Sequence, residues 1–456
     1  MRSERGSSRV RAASGRRASG RALAFMMALA LAVPAPAQDR TPLGAEVSGN
    51  VAGTIPPWQG GLESPIAGHR TGGPYADPYE ADRPMFAISA GNLERYRAQL
   101  SPGQVALLQK YPTWTMNIYP TRRSAAFPKA VYQETAANAG VAKLAPGGNG
   151  VTGTTGGIPF PVPKDGLEAI WNTLLRYRGD TYATRWGQAA ITRGGAYTMV
   201  NFEYEYDFGY GNLSKRPRNQ EDNSLVHVLQ TITGPARLAG QILLVNEPFN
   251  PVQEPRSAWV YDPVQHRVHP ASYVAYDNPR TAADGLVTSD DVQMFNGATD
   301  RYEWRLVGKQ EMFIPYNSYK VSGNGPHVAD VLRPGHLNPD YARYELHRVW
   351  VVEATLKAGA SHIYGKRVFY IDEDSWSIAV TDKYDTAGDL WRVAEQHSIN
   401  CYDVPMLYGT VEVHSDLRSG RYLVMGLRNG QPRFFEKIKR SAADYAPAVL
   451  RALGVR

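Results

Sequence analysis

The sequence predicts a mainly β protein with a minority of helices (α+β), its strands joined as sequential antiparallel hairpins. From about residue 182 onward, strand-like stretches follow one another: YTMVNFEYEYDF, HVLQTITG, GQILLVNEP, SAWVYDPVQHRVHPAS, DRYEWRLVGKQEMFIPYN, RYELHRVWVVEATL and KRVFYIDEDSWSIAVTDKYD among them. They number roughly ten, at the spacing of about 8–12 residues typical of antiparallel sheets, with turn dipeptides such as Asp262-Pro263 between them. The 27 Tyr and an aromatic share of 11% suit pleated, half-buried surfaces. One segment breaks the pattern: in KDGLEAIWNTLLRYRG, Leu167, Ile170, Trp171, Leu174 and Leu175 follow helical spacing and demand an apolar partner.

The elements follow in chain order. Residues 1–21 carry seven Arg and one Glu, ahead of the apolar run ALAFMMALALAV at 22–33 and Ala35-Pro36-Ala37. A basic segment, a short apolar core and an A-x-A site make residues 1–37 a secretory signal peptide, with cleavage expected after Ala37. Arg16-Arg17 has the look of a twin-arginine pair, but several residues separate it from the apolar run. Residues 38–84 form a Gly/Pro-rich extension expected to run along the surface, and residues 85–456 one β domain. In SPGQVALLQKYP, Ser101, Pro102 and Gln104 form a capping box opening a helix within 92–111. A second helix is expected over 165–178, and a third candidate at 441–454.

Composition narrows the function. Loss of residues 1–37 takes the formal net charge from +7 to +1, because seven Arg and one Glu leave together. The mature chain therefore lacks the positive excess that attracts nucleic acid, and no nucleic-acid partner is expected. Cys401 is the single cysteine. It forms no internal disulfide, offers no lipid attachment after Ala37, and is expected to be a buried small apolar side chain.

Enzyme signatures are missing as well. The sequence has no G-x-S-x-G, Walker loop, H-E-x-x-H or Cys–His zinc spacing, so no catalytic residue, cofactor or metal is predicted. Gly148, Gly150 and Gly153 satisfy G-x-G-x-x-G formally, but prolines follow them instead of a helix start; 147–163 reads as a flexible loop. In NFEYEYDFGYGN, Phe202, Tyr204, Tyr206 and Phe208 share one strand face, and Glu203, Glu205 and Asp207 the other. The acids read as a solvated, salt-bridged face. Asp372, Glu373 and Asp374 read as a hairpin turn, and His266 and His269 as an exposed hairpin end.

Three stretches resemble known proteins. WVYDPVQHRVHPAS (259–272) resembles a hairpin of outer-membrane lipoprotein-sorting proteins. KRVFYIDEDSWSIAVTDKYDTAGDLWRV (366–393) and GGIPFPVPKDGLEAIWN (156–172) resemble segments of domain-of-unknown-function family 1329, which is grouped with the Lol-type lipoprotein carriers and receptors. The resemblance spans about residues 80 to 430. It implies a large curved antiparallel sheet forming a half-open barrel, with the helices near 92–111 and 165–178 as its lid. It also implies an apolar cavity for acyl chains or another hydrophobic molecule, carried in the periplasm between inner and outer membrane. The implied partners are a lipid or other apolar small molecule, an inner-membrane transporter and an outer-membrane protein. Two features depart: the chain is about twice the length of the small lipoprotein carriers, and no lipid-anchoring Cys follows the signal, unlike the anchored outer-membrane receptor. Phe202, Tyr204, Tyr206, Trp304 and Trp350 are the candidate lining, with Ile170 and Trp171 on the lid. The alternatives are a non-enzymatic accessory partner of an envelope transporter, or a carboxylate-dependent enzyme acting on an envelope polymer through Asp372, Glu373 or Asp207.

Overall fold

The computed structural model describes residues 39–215, 222–271, 274, 276–321, 323 and 325–454; the expected signal segment, 1–37, lies outside them. The principal strands, numbered in chain order, are β1 (Thr181–Ile191), β2 (Met199–Phe208), β3 (Ser224–Gly234), β4 (Ile242–Pro248), β5 (Ser257–Asp262) and β6 (Arg267–Pro270). They continue as β7 (Tyr302–Pro315), β8 (Tyr344–Leu356), β9 (Lys366–Asp372), β10 (Ile378–Tyr384), β11 (Leu390–Asn400), β12 (Leu407–Asp416) and β13 (Tyr422–Leu427). The helices used below are α1 (Pro102–Lys110), α2 (Lys129–Asn138), α3 (Gly166–Leu175) and α4 (Pro447–Gly454).

Among the described residues these strands join one open, curved sheet. Their spatial order is β7-β8-β9-β10-β11-β12-β13-β1-β2-β3-β4-β5-β6, antiparallel at each of these steps. Most neighbours are sequential hairpins, as the sequence predicts. The exception is the seam between β13 and β1, where Tyr422 pairs with Ile191. The consequence is topological: β6 lies at one edge of the sheet and β7 at the other. The chain between β6 and β7 must therefore cross the sheet, and its described residues 276–301 do so over one face, called the inner face here.

Pleat alternation shows which face each helix takes. On β10, Lys383 meets Asp291 of the crossover at 2.8 Å, while its neighbour Asp382 points the other way. Asp382 accepts from Ser101 Oγ at 3.0 Å and from the Gly103 amide at 3.1 Å, both at the start of α1. The helix α1 therefore packs on the outer face. Its capping box forms as the sequence predicts, with Gln104 N donating to Ser101 Oγ and Ser101 N to Gln104 Oε1, each at 3.1 Å. By contrast α3, capped by Asp165 through the Glu168 amide at 2.9 Å, lies on the inner face. The two helices expected to form one lid thus cover opposite sides. The physical reason is the buried Asp382, whose hydrogen bonds bind the α1 N-terminus to the outer surface.

The described part of the Gly/Pro-rich extension, from Asp39, belongs to the same compact unit as the sheet. Leu43, Ala45, Ile55 and Tyr75 are buried, and the buried indole of Trp376 donates to Leu43 O at 3.0 Å. Cys401 is buried, and no helix among the described residues is long and apolar enough to cross a membrane.

Beneath α1 lies an acid with no cation in ion-pair reach among the described residues. Glu395 accepts from Gln104 Nε2 at 3.0 Å and from the Tyr344 hydroxyl at 2.9 Å. Burial, only partly offset by those bonds, pushes its carboxyl up to about 7. Its folded-state pKa exceeds the unfolded value, so its cost is absent at low pH and appears as pH rises toward 7. Glu395→Gln should therefore gain stability relative to the parent between pH 5 and pH 8, on the order of 2 kcal/mol. Urea denaturation at both pH values reads this directly; an equal offset at both would show that Glu395 is not protonated in the fold.

Candidate functional site

The inner face of β1 and β2 is paved with rings. Trp186 stacks on Tyr204 at 4.7 Å, Tyr204 on Tyr206 at 5.6 Å and Tyr206 on Phe208 at 6.1 Å, with interplanar angles of 10°, 6° and 14°. Such pairs contribute roughly 0.5–1.5 kcal/mol each beyond the area they bury, so the ladder is stiff. Its outer-face neighbours are ion-paired as predicted for an alternating strand. Glu203 meets Arg185 at 2.7 Å, and Glu205 takes a two-pronged contact from Arg440 at 2.7 and 2.8 Å. Asp207 departs from the solvated reading. It is fully buried, between Thr181 Oγ1 at 2.7 Å and Lys215 Nζ at 2.6 Å.

Beyond the ladder the inner face opens into a cavity of about 450 Å³. One wall is Tyr204, Tyr206 and Phe208 of β2, continued by Val226, Val228 and Gln230 of β3, Leu243 and Val245 of β4 and Val260 of β5. Trp171 and Leu174 of α3 close one side. The crossover roofs it with Tyr276, Arg280, Val292, Gln293 and Asn296. Pro255, Pro279, Thr281 and Asp300, the exposed members of the lining, mark where it meets solvent.

The predicted lining residues divide. Tyr204, Tyr206 and Trp171 face the cavity. Phe202 and Ile170, 1% and 0% exposed, sit in the solid core beside it. Trp304 stacks on Phe369 at 5.8 Å and Trp350 on Trp376 at 5.9 Å, under the opposite half of the sheet. Alternation gives the correct face for the strand of Tyr204; it carries no information on where two layers separate. Sequence reasoning misses the β3–β5 aliphatics and the crossover, although HVLQ and QILLV alternate in the same way.

Asp290, pushed up by burial but pulled further down by Arg367 and His362, settles at about 2 and accepts from Arg367 Nη2 at 2.6 Å. Arg392 Nη2 donates to Gly285 O at 2.7 Å and Gln188 Nε2 to Ala282 O at 2.7 Å. These bonds pin the crossover to the sheet. The glycine-rich loop is also built rather than loose: Gly148 O accepts from Trp171 Nε1 at 2.9 Å. At Gly150, with φ +143°, a Cβ would lie 2.5 Å from Asn250 Oδ1.

A second polar centre lies at the β9–β10 turn. The hairpin reading of Asp372–Asp374 holds, and the three acids are buried. Arg123 donates to both Asp374 oxygens at 2.9 and 2.7 Å, and Lys309 and Arg348 meet Glu373 at 2.7 and 3.2 Å. His347, Asp372 and Asp374 each place one donor atom within 4.8 Å of the others. Burial and the neighbouring Asp374 push Asp372 up to about 7. With both Asp374 oxygens held by Arg123, the guanidinium supplies the positive charge at this position. The same arginine donates to Glu46 O at 2.7 Å, and Arg348 to Ser48 O at 3.1 Å, so the N-terminal segment is clamped here.

With this geometry in hand, the chain can be set beside known proteins. Residues 87–451 match the family model described as "Protein of unknown function (DUF1329)". An uncharacterized protein of Pseudomonas aeruginosa is 47% identical over 418 residues, 91% of this chain and 92% of that one. The chain belongs to family DUF1329. Among solved structures, it is similar to a domain assigned to outer membrane lipoprotein sorting from Vibrio parahaemolyticus (TM-score 0.43, 13% identity), covering 63% of this chain and 98% of that one. A LolA superfamily protein from Nitrosomonas europaea is similar at TM-score 0.37 and 13% identity, over 62% of this chain and 98% of that one.

The clamp is testable. Arg123→Ala leaves Asp374 buried without its cation, and should cost about 3–5 kcal/mol in urea denaturation. It should also speed limited proteolysis within residues 39–58.

Proposed function

We propose that this member of DUF1329 is a carrier of the bacterial envelope, holding an apolar molecule in the cavity between β2–β5, α3 and the crossover. The observation that carries this reading is the cavity itself. Protein interiors pack without voids larger than a few waters, whereas ligand pockets run to about 300–1,000 Å³. At about 450 Å³ this one falls in the second class. Its walls suit an apolar guest, with Val228, Leu243, Val245 and Val260 offering aliphatic contact and the tyrosine ladder a rigid base. Each methylene buried there contributes about 0.8 kcal/mol, enough for useful affinity from one chain or fused-ring body.

The signal-like residues 1–37 support an exported, periplasmic carrier, and the sequence resemblance to Lol-type proteins supports transfer between membranes. The carboxylate-enzyme alternative finds less support. Asp372, Glu373 and Asp207 lie away from the cavity in buried hydrogen-bonded or ion-paired surroundings. The half-buried acid of the cavity wall, Glu247, is paired with Arg256.

Delipidated protein should bind a fluorescent fatty acid or a fluorescent sterol saturably and with one site. Leu243→Trp, which fills the space from a half-buried position, should weaken that binding at least tenfold while leaving the circular dichroism spectrum unchanged. Failure to bind either probe would sink the carrier reading.

A further inference from the structure

Buried arginines in this protein usually have a carboxylate. Arg123 has Asp374 at 2.7 Å, Arg367 has Asp290 at 2.6 Å, Arg343 has Glu345 at 2.7 Å and Arg392 has Asp416 at 3.3 Å. In the cavity lining, Arg256 has Glu247. Two lining arginines break the pattern: among the described residues, neither Arg178 nor Arg280 has a carboxylate within ion-pair reach, though both line the cavity. Arg178 and Arg280 are half-buried; the buried Arg176 and Arg428 likewise have no carboxylate in ion-pair reach among the described residues, but they do not line the cavity, and Arg428 packs on the Phe434 ring at 4.3 Å.

The two differ in how far their donors are engaged. Arg178 Nη2 donates to Leu174 O at 3.0 Å, Nη1 donates to the Gln293 amide oxygen, and the guanidinium lies 5.1 Å from the Phe208 ring centre. It is tethered, and supplies positive field without moving. Arg280 donates through Nη2 alone, to the Tyr204 hydroxyl at 2.5 Å and Gln230 Oε1 at 3.3 Å. Its Nε and Nη1 have no hydrogen bond among the described residues. Arg280 also stands between Pro279 and Thr281, at the rim where the cavity meets solvent. The other acid of the lining, Asp300, accepts from Tyr276 at 3.0 Å.

A guanidinium beside apolar walls is poorly compensated, and its free edge matches a carboxylate or a phosphate in a two-pronged contact. We propose that the cargo is an acidic amphiphile: its carboxylate or phosphate head docks on the Nε/Nη1 edge of Arg280 at the rim, and its apolar body lies inward along Val228, Leu243 and Val245. The field of Arg178 favours the same charge. This assignment rests on the carrier reading above and adds the chemical class of the cargo.

The test separates head from body. The delipidated full-length mature chain is loaded with N-phenylnaphthylamine, a neutral fluorophore, and displaced by palmitate, dodecyl phosphate, methyl palmitate, acetate or inorganic phosphate. Palmitate and dodecyl phosphate should bind roughly ten- to a hundredfold tighter than methyl palmitate, the range for hydrogen bonds to a charged partner. Acetate and inorganic phosphate should not displace the probe. Arg280→Gln should remove most of the preference for the acid over the ester, read as the ratio of the two affinities in the same variant, and Arg280→Lys should restore part of it. If methyl palmitate binds as tightly as palmitate, or Arg280→Gln keeps the preference, the head assignment is overturned and carriage stands. Displacement by the tailless anions at the affinity of the amphiphiles would overturn it too. If neither acid nor ester binds, the carrier reading falls with it.

Discussion

Asp290 and Asp291 sit where the crossover passes over β9 and β10, and they hold the strap that roofs the cavity to the sheet. Each is buried and each faces a cation rising from the inner face, Arg367 on β9 for the first and Lys383 on β10 for the second. Two charges taken out of water cost several kcal/mol apiece, so these pairs are not a source of net stability. What they supply is position. An apolar strap could slide over an apolar sheet with little change in energy, whereas a displaced aspartate would leave two uncompensated charges. The roof stays at a fixed height, and the space beneath it is kept instead of collapsing.

The same logic recurs at the β9–β10 turn, where Arg123 reaches Asp374 and the backbone of Glu46. Both places use a polar anchor to hold a segment lacking regular structure against a β surface. Between them the sheet is free to be what its sequence makes it, a continuous layer of rings and branched aliphatics. Rigidity in the ladder and anchorage in the straps are complementary: the floor does not bend and the roof does not slip.

How much of this is legible in the sequence follows from the range of each interaction. The ladder Phe202–Phe208 and the helix at Ile170 and Trp171 depend on local periodicity, and the sequence reads both correctly as elements. The capping box at Ser101 and Gln104 is local too. Trp304 and Trp350 show the same alternation as Tyr204, yet they meet Phe369 and Trp376 in a filled layer. What separates them is whether the crossover lies close or stands off, a fact set by Asp290 and Asp291 some distance along the chain. The burial of the acids at the β9–β10 turn is illegible for a related reason. The cation that holds Asp374 comes from Arg123, about 250 positions away. The placement of α1 on the outer face depends likewise on Asp382, which a pattern of Leu and Val cannot reveal.

The seam between β13 and β1 has a bearing on how the molecule is made. A chain emerging from its N-terminus presents β1 long before β13 exists, so the edge of the first hairpin carries unpaired amide and carbonyl groups through most of synthesis. Closing so wide a loop is slow, and exposed strand edges are where growing chains stick to one another. The finished sheet thus closes late and at its centre, where first β13 and then Glu436–Lys437, paired with Ala183 and Tyr182, cover the open edge of β1 and remove the hazard.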